Sequence, residues 1–216
     1  PPETLERLAR LLREASERHG RPIYLISDES YSRIVCDGRA FHSPAAFYPY
    51  TVLIYTFGKT LLAPGQRLGY IALPPDMPER ELVHLAIMMR QVVGGYGFPN
   101  AVMQYAVGDL EELSIDIEHL QRKRDRMVAA LREMGYEVHT PEGTFYLLPR
   151  SPWADDLAFT ELLATHDIFV LPGASIEAPG HFRISLTASD DIIDRALPGF
   201  ATAIAHARTH APAAAG

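Results

Sequence analysis

The segment from Thr51 to Leu73 limits most what this chain can fold into. Thr51-Val52-Leu53-Ile54-Tyr55 is a short, β-branched apolar run of the kind that forms a buried strand. It breaks into a loop carrying Lys59, turns at Pro64-Gly65, places Arg67, and re-enters an apolar strand from Leu68 to Leu73. A lone lysine among small and apolar residues does little for solubility. It is suited to a lowered amine pKa, because desolvation disfavours the ammonium and frees the lone pair. An arginine beside a Pro-Gly turn is suited to a fixed anion such as a phosphate. The plainer reading is a surface lysine and arginine on a strand–loop–strand unit.

Two more segments place charged groups against apolar strands. Glu3 to His19 carries leucines at 5, 8, 11 and 12, an amphipathic helical stripe, and Gly20 and Pro22 end it. Ile23-Tyr24-Leu25-Ile26 then reads as a buried parallel strand that ends in Ser27-Asp28-Glu29-Ser30-Tyr31. Acidic residues at the carboxyl end of such a strand lie where open α/β sheets bind ligands, although Asp28 also suits a cap or turn. Further on, His181-Phe182-Arg183-Ile184-Ser185-Leu186-Thr187 puts an arginine inside an apolar strand. That is costly unless the guanidinium meets an anion, which may be a ligand's carboxylate or one from the core.

Together these segments resemble the class I/II aminotransferases, the fold-type I pyridoxal-phosphate enzymes. Thr56-x-Gly58-Lys59 followed by Pro64-Gly65-x-Arg67-x-Gly69-Tyr70 is similar to their lysine segment. Asp28-Glu29-x-Tyr31 with Asp37-Gly38 and Phe41 is similar to the segment that holds the pyridine ring. The resemblance implies that Lys59 forms the Schiff base and moves the proton. It implies that Asp28 pairs with the ring nitrogen, Tyr31 bonds the 3-hydroxyl, and Thr56 and Arg67 serve the phosphate. It also implies that Arg183 binds the substrate α-carboxylate. Gly58 departs from the pattern, which often has serine before the lysine. The implied activity moves an amino group between an amino acid and a 2-oxo acid, in a homodimer. The same scaffold could instead run another pyridoxal-phosphate reaction (lyase, decarboxylase or oxidase) or serve as a non-catalytic binding or regulatory domain.

The implied architecture is α/β, part of a large, mostly parallel sheet domain followed by a small α+β domain. Residues 1–115 are expected to be the C-terminal half of the large cofactor-binding domain and 116–216 the small domain. Helices are expected over 79–93, with Leu82, Leu85, Ala86 and Met89 on one stripe, over 100–108, and over 116–134 with a solvated charged face. From Tyr136 the period changes to two, predicting a hairpin or meander over 137–149 about Pro141-Glu142-Gly143. A helix over 158–165, a strand over 168–171, a helix over 192–207 and a disordered tail from Ala211 complete the reading. Tyr96, in a glycine-rich turn, is expected to pack.

The net charge of -7 shows no basic stripe and argues against nucleic acid. One cysteine fits a reducing, cytoplasmic setting, no run reaches membrane-spanning length, and the histidines show no metal pattern. The chain starts at Pro1 and places one helix and one strand before Asp28, whereas the family's phosphate cup, stacking aromatic and asparagine precede that segment. The N-terminal part of the enzyme is therefore expected to be missing, leaving a piece with exposed apolar surface that binds cofactor weakly and needs a partner chain.

Overall fold

The computed structural model describes residues 1–210, and the expected tail from Ala211 lies outside them. Two compact units divide the chain, one from Pro1 to Ile115 and a second beginning at Asp116.

The first unit opens with α1 (Pro2–His19), which starts on prolines that need no N–H partner and stops where Gly20 turns left-handed at φ 62°. Ser16 ties the helix to the strand that follows, its Oγ accepting from Ile23 N at 3.0 Å, while the Tyr48 hydroxyl donates to Ile23 O at 2.6 Å. The sheet has order β1-β2-β3. β1 (Leu25–Asp28) runs parallel to β2 (Thr51–Thr56), with Asp28 level with Ile54. β3 (Gly69–Ala72) returns antiparallel, with Gly69 opposite Thr56. The expected loop at Lys59 is a helical turn, α2 (Phe57–Thr60), because Thr56 caps it by accepting from Gly58 N at 3.2 Å.

Two helices follow, α3 (Arg80–Val93) and α4 (Ala101–Leu110). Asn100 caps α4 through Met103 N at 3.2 Å. On one side of the sheet Tyr55, Phe57 and Leu68 bury against Met103, with Val107 and Leu110 alongside. The other side is open. A groove of about 710 Å³ runs between Ile26, Val52, Ile54 and Ile71 of the sheet and Leu82, Ala86 and Tyr96. No residue of α3 is buried, so the apolar stripe that lines this groove is left open among the described residues. Tyr96 does not pack as expected and is 80% exposed.

The second unit has a closed core. α5 (Ile117–Met134) is capped by Asp116 and ended by Gly135 at φ 95°. After it come β4 (Tyr146–Leu147), α6 (Asp156–Ala164), β5 (Leu171–Pro172), β6 (Phe182–Ser185) and α7 (Asp190–Thr209). The antiparallel order is β4-β6-β5. Phe159, Phe182 and Phe200 are fully buried around Tyr136, whose hydroxyl donates to Phe200 O at 2.9 Å.

Three expectations change here. The hairpin or meander expected over 137–149 does not form as a local unit: Tyr146 and Leu147 pair with Ser185 and Ile184, and residues 137–140 stay irregular. A long-range partner strand that buries Leu147 wins over a local turn. The strand expected over 168–171 shrinks to β5, because only Leu171 and Pro172 find ladder partners, Arg183 and Phe182. Finally, the charged run on α5 is not wholly solvated. Arg124 is 3% exposed, bonds Asp125 Oδ1 through Nε at 2.8 Å, and donates to Pro141 O at 2.9 Å, as buried guanidinium requires.

Candidate active site

In the first unit the predicted cofactor residues gather at one edge of the sheet. Parallel pairing carries β1 and β2 to the same edge, with Asp28 ending one strand and Thr56 the other. Asp28 is exposed, and its Oδ1 accepts from both the N–H (3.0 Å) and the hydroxyl of Ser30, an Asx-type turn that fixes the carboxylate. This turn delivers Tyr31 back towards β2, where the Lys59 amine lies 5.5 Å from the Tyr31 ring centroid. Lys59 is half-buried on α2, the turn that extends β2.

The turn that presents Lys59 is tightly built. Thr60 is fully buried, its Oγ1 sharing a 2.7 Å bond with the Tyr55 hydroxyl and its carbonyl accepting from Ile115 N at 3.0 Å. A Cβ on Gly69 would come within 2.4 Å of Tyr55 O, so only glycine allows β3 this close to β2. The departure at Gly58 also has a physical reason: a Cβ there would lie 3.1 Å from Pro64 Cα, tighter than ordinary contact. Thr56 uses its hydroxyl locally, accepting from Gly58 N and donating to Leu68 O at 3.2 Å. Arg67 stands exposed in the left-handed region at φ 53°, with Nη1 on Pro64 O at 3.3 Å.

Glu29 escaped the reading of the sequence. It is 5% exposed, and its Oε1 accepts from the hydroxyls of Ser27 (3.1 Å) and Ser43. Its charge, after partial burial, Tyr55 and Glu111, raises the pKa of the Tyr70 phenol, which Arg33 opposes. The signal available was two acids in a row at a strand end, where alternation turns one of them inward.

Arg183 lies in the second unit, on β6 between the core residues Phe182 and Ile184. It is half-buried and makes no hydrogen bond or ion pair with the described residues. Its Cζ lies over the Tyr146 ring, 4.3 Å from the centroid. The alternative of a bridge to a core carboxylate is therefore not what this structure contains.

Comparison with known proteins gives the family of the chain. The family described as aminotransferase class I and II matches residues 1–199. The aspartate/prephenate aminotransferase of Thermus thermophilus is 30% identical over 220 residues, covering 96% of this chain and 53% of that protein. The aspartate aminotransferase of Thermotoga maritima is 29% identical, covering 90% of this chain and 49% of that protein. Among solved structures, an amino transferase from Eubacterium rectale superposes with a TM-score of 0.89 at 28% identity, over 95% of this chain and 52% of that one. A Thermus thermophilus aspartate aminotransferase with maleate gives a TM-score of 0.73 at 27% identity, over 94% and 52% of the two chains. The chain thus spans about half the length of the curated relatives it matches. It has part of the fold-type I α/β architecture, and it belongs to the class I and II aminotransferase family.

Proposed function

We propose that the protein to which this chain belongs is a pyridoxal-phosphate-dependent aminotransferase that exchanges an amino group between an amino acid and a 2-oxo acid. The observation that carries this reading is the convergence of Lys59, Tyr31 and Asp28 at one edge of a parallel strand pair, in a chain of this family.

The residues present fit the cofactor. Lys59 supplies the amine for its aldehyde, and Asp28 supplies a carboxylate that Ser30 holds in place for the pyridine nitrogen. The Tyr31 phenol is assigned to the 3-hydroxyl, and Arg67 on its fixed turn to the phosphate. Thr56 is assigned to the phosphate as well, and donates there only by giving up its bond to Leu68 O. Pyridoxal phosphate, when bound, supplies an electron sink for the pair left on the substrate α-carbon. Asp28 would keep the ring nitrogen protonated. Lys59, displaced by the incoming amino acid, would take the α-carbon proton on Nζ, with the Tyr31 ring beside it limiting where the amine can swing. Arg183 would grip the α-carboxylate through two parallel N–H bonds.

In this reading the unit Pro1–Ile115 is the C-terminal half of the large domain and the unit from Asp116 is the small domain. The working form is a homodimer, supported by the exposed aromatics Tyr96, Phe98 and Tyr105. The setting is cytoplasmic, supported by the cysteine count of one, Cys36, in this chain. No helix among the described residues is long and apolar enough to cross a membrane.

The test is an assay of 2-oxo acid formation from amino acids, aspartate first, with and without a 2-oxo acid acceptor. Turnover that requires the acceptor and disappears in Lys59→Ala is the expected result. Product formed equally without an acceptor would assign a different reaction to the same groups.

A further inference from the structure

Arg183 poses a physical problem that its strand does not solve. A guanidinium on a long, flexible stem has to be held in place before it can grip a ligand, or it loses rotamer entropy on every binding event. A carboxylate partner would order it, but that partner would occupy the donors a substrate carboxylate needs. None of the described residues pairs with it in this way. What it has is an aromatic face, the Tyr146 ring at 4.3 Å. Stacking uses the flat of the guanidinium and leaves its in-plane N–H donors free for a bidentate contact.

The ring itself is held from several sides. Tyr146 pairs with Ser185, two residues beyond Arg183 along β6, so both side chains stand on the face away from buried Leu147 and Ile184. Tyr146 N donates to Thr144 Oγ1 at 3.1 Å, and Thr144 is kept at φ 67°. Phe145 sets its ring edge-on to Tyr146 at 4.8 Å. Buried Arg124 fixes the Pro141 carbonyl at the start of the same turn.

We infer that Tyr146 is a positioning residue for substrate recognition. Its ring holds the Arg183 guanidinium flat and in register, so that the fork meets an α-carboxylate already ordered. This rests on the reading of Arg183 as the carboxylate ligand, and it is tested in the whole protein with cofactor bound. Tyr146→Leu should raise KM for the amino acid by about 3- to 10-fold, the range of a partly desolvated cation–π contact, with kcat and cofactor content unchanged. The dissociation constant of maleate, measured by calorimetry, should rise by the same factor. Tyr146→Phe, which keeps the face and drops the hydroxyl, should stay within about twofold of the parent, since the face carries the contact. In an Arg183→Ala background, Tyr146→Leu should have no further effect. Should the leucine variant not fold, phenylalanines of increasing fluorine content at position 146 keep the shape and weaken the face, and KM should rise stepwise with fluorine. The inference is overturned if Tyr146→Leu or fluorination leaves KM and maleate binding unchanged while Arg183→Ala weakens both. It is equally overturned if Tyr146→Phe costs as much as leucine. If Arg183→Ala itself leaves KM and maleate binding unchanged, the assignment of Arg183 fails, and this inference fails with it.

Discussion

The two units solve opposite problems. The unit from Asp116 closes its sheet with α5, α6 and α7 and buries four aromatic rings in contact, Tyr136, Phe159, Phe182 and Phe200. The unit Pro1–Ile115 holds the residues proposed for the cofactor; among the described residues only one side of its sheet is covered, and Ile26 is 67% exposed on the other. Chemistry at a sheet edge needs open strand ends and a tight turn, whereas a stable core needs every apolar face covered. The comparison puts the closed core and the proposed reactive groups in different segments of this chain, and substitutions should separate them.

The largest contrast is in packing. Phe182→Ala should cost about 3–5 kcal/mol in denaturant unfolding, the usual cost of emptying a buried aromatic site. Ile26→Ala should stay within about 0.5 kcal/mol, as exposed positions do. Equal costs would mean that the open face is covered in solution and would break the contrast. Next comes the contrast in ligands. Arg183→Ala should weaken amino-acid binding by about 30-fold or more, equivalent to about 2–5 kcal/mol, with cofactor absorbance unchanged. Loss of cofactor to the same degree would move Arg183 into a structural role.

A smaller effect sharpens the account of the lysine turn. Gly69→Ala should destabilise by about 1–3 kcal/mol through overpacking against Tyr55 O, and cofactor uptake should fall with it. Cofactor uptake unchanged at that cost in stability would uncouple the turn from the site. The smallest effect is in the second unit. Tyr136→Phe should cost about 1 kcal/mol by removing the donor to Phe200 O. Burial holds the Tyr136 phenol above its ordinary pKa of 10.0, so the folded chain keeps a proton that the unfolded chain gives up. Stability is therefore full below that pH and falls as pH rises past it, and the phenylalanine variant should lose this part of the alkaline fall.

The candidate site residues stood out in the sequence because they sit at punctuation marks. Lys59 and Arg67 flank a Pro-Gly turn, Asp28 ends an apolar run, and Arg183 interrupts one. Such positions stand out from a single sequence because each places a charge where apolar neighbours make it costly. What stayed hidden depends on contacts far apart in the chain. Tyr146 pairs with Ser185 rather than across a local turn, and nothing in residues 137–148 alone announces that partner. Arg124 reads as one of several charges on a wet helix face, and its bond to the distant Pro141 carbonyl is not visible in the helix alone. Helical periodicity in α3 correctly gave a helix and a stripe, but periodicity does not say whether a stripe is covered. Gly58 read as a departure from a pattern, and its reason appears only when Pro64 folds back over it.

The central claim is that Lys59 is the amine that holds the cofactor, and the chain offers a clean internal control, since Lys123 is its only other lysine. Lys123 lies on α5 in the second unit and donates to Ala188 O at 2.7 Å. Borohydride reduction of the protein with pyridoxal phosphate, followed by peptide mass mapping, reads the site directly. The account predicts a pyridoxyl adduct on the peptide containing Lys59 and none on Lys123. An adduct on Lys123, with Lys59 unmodified, would contradict it.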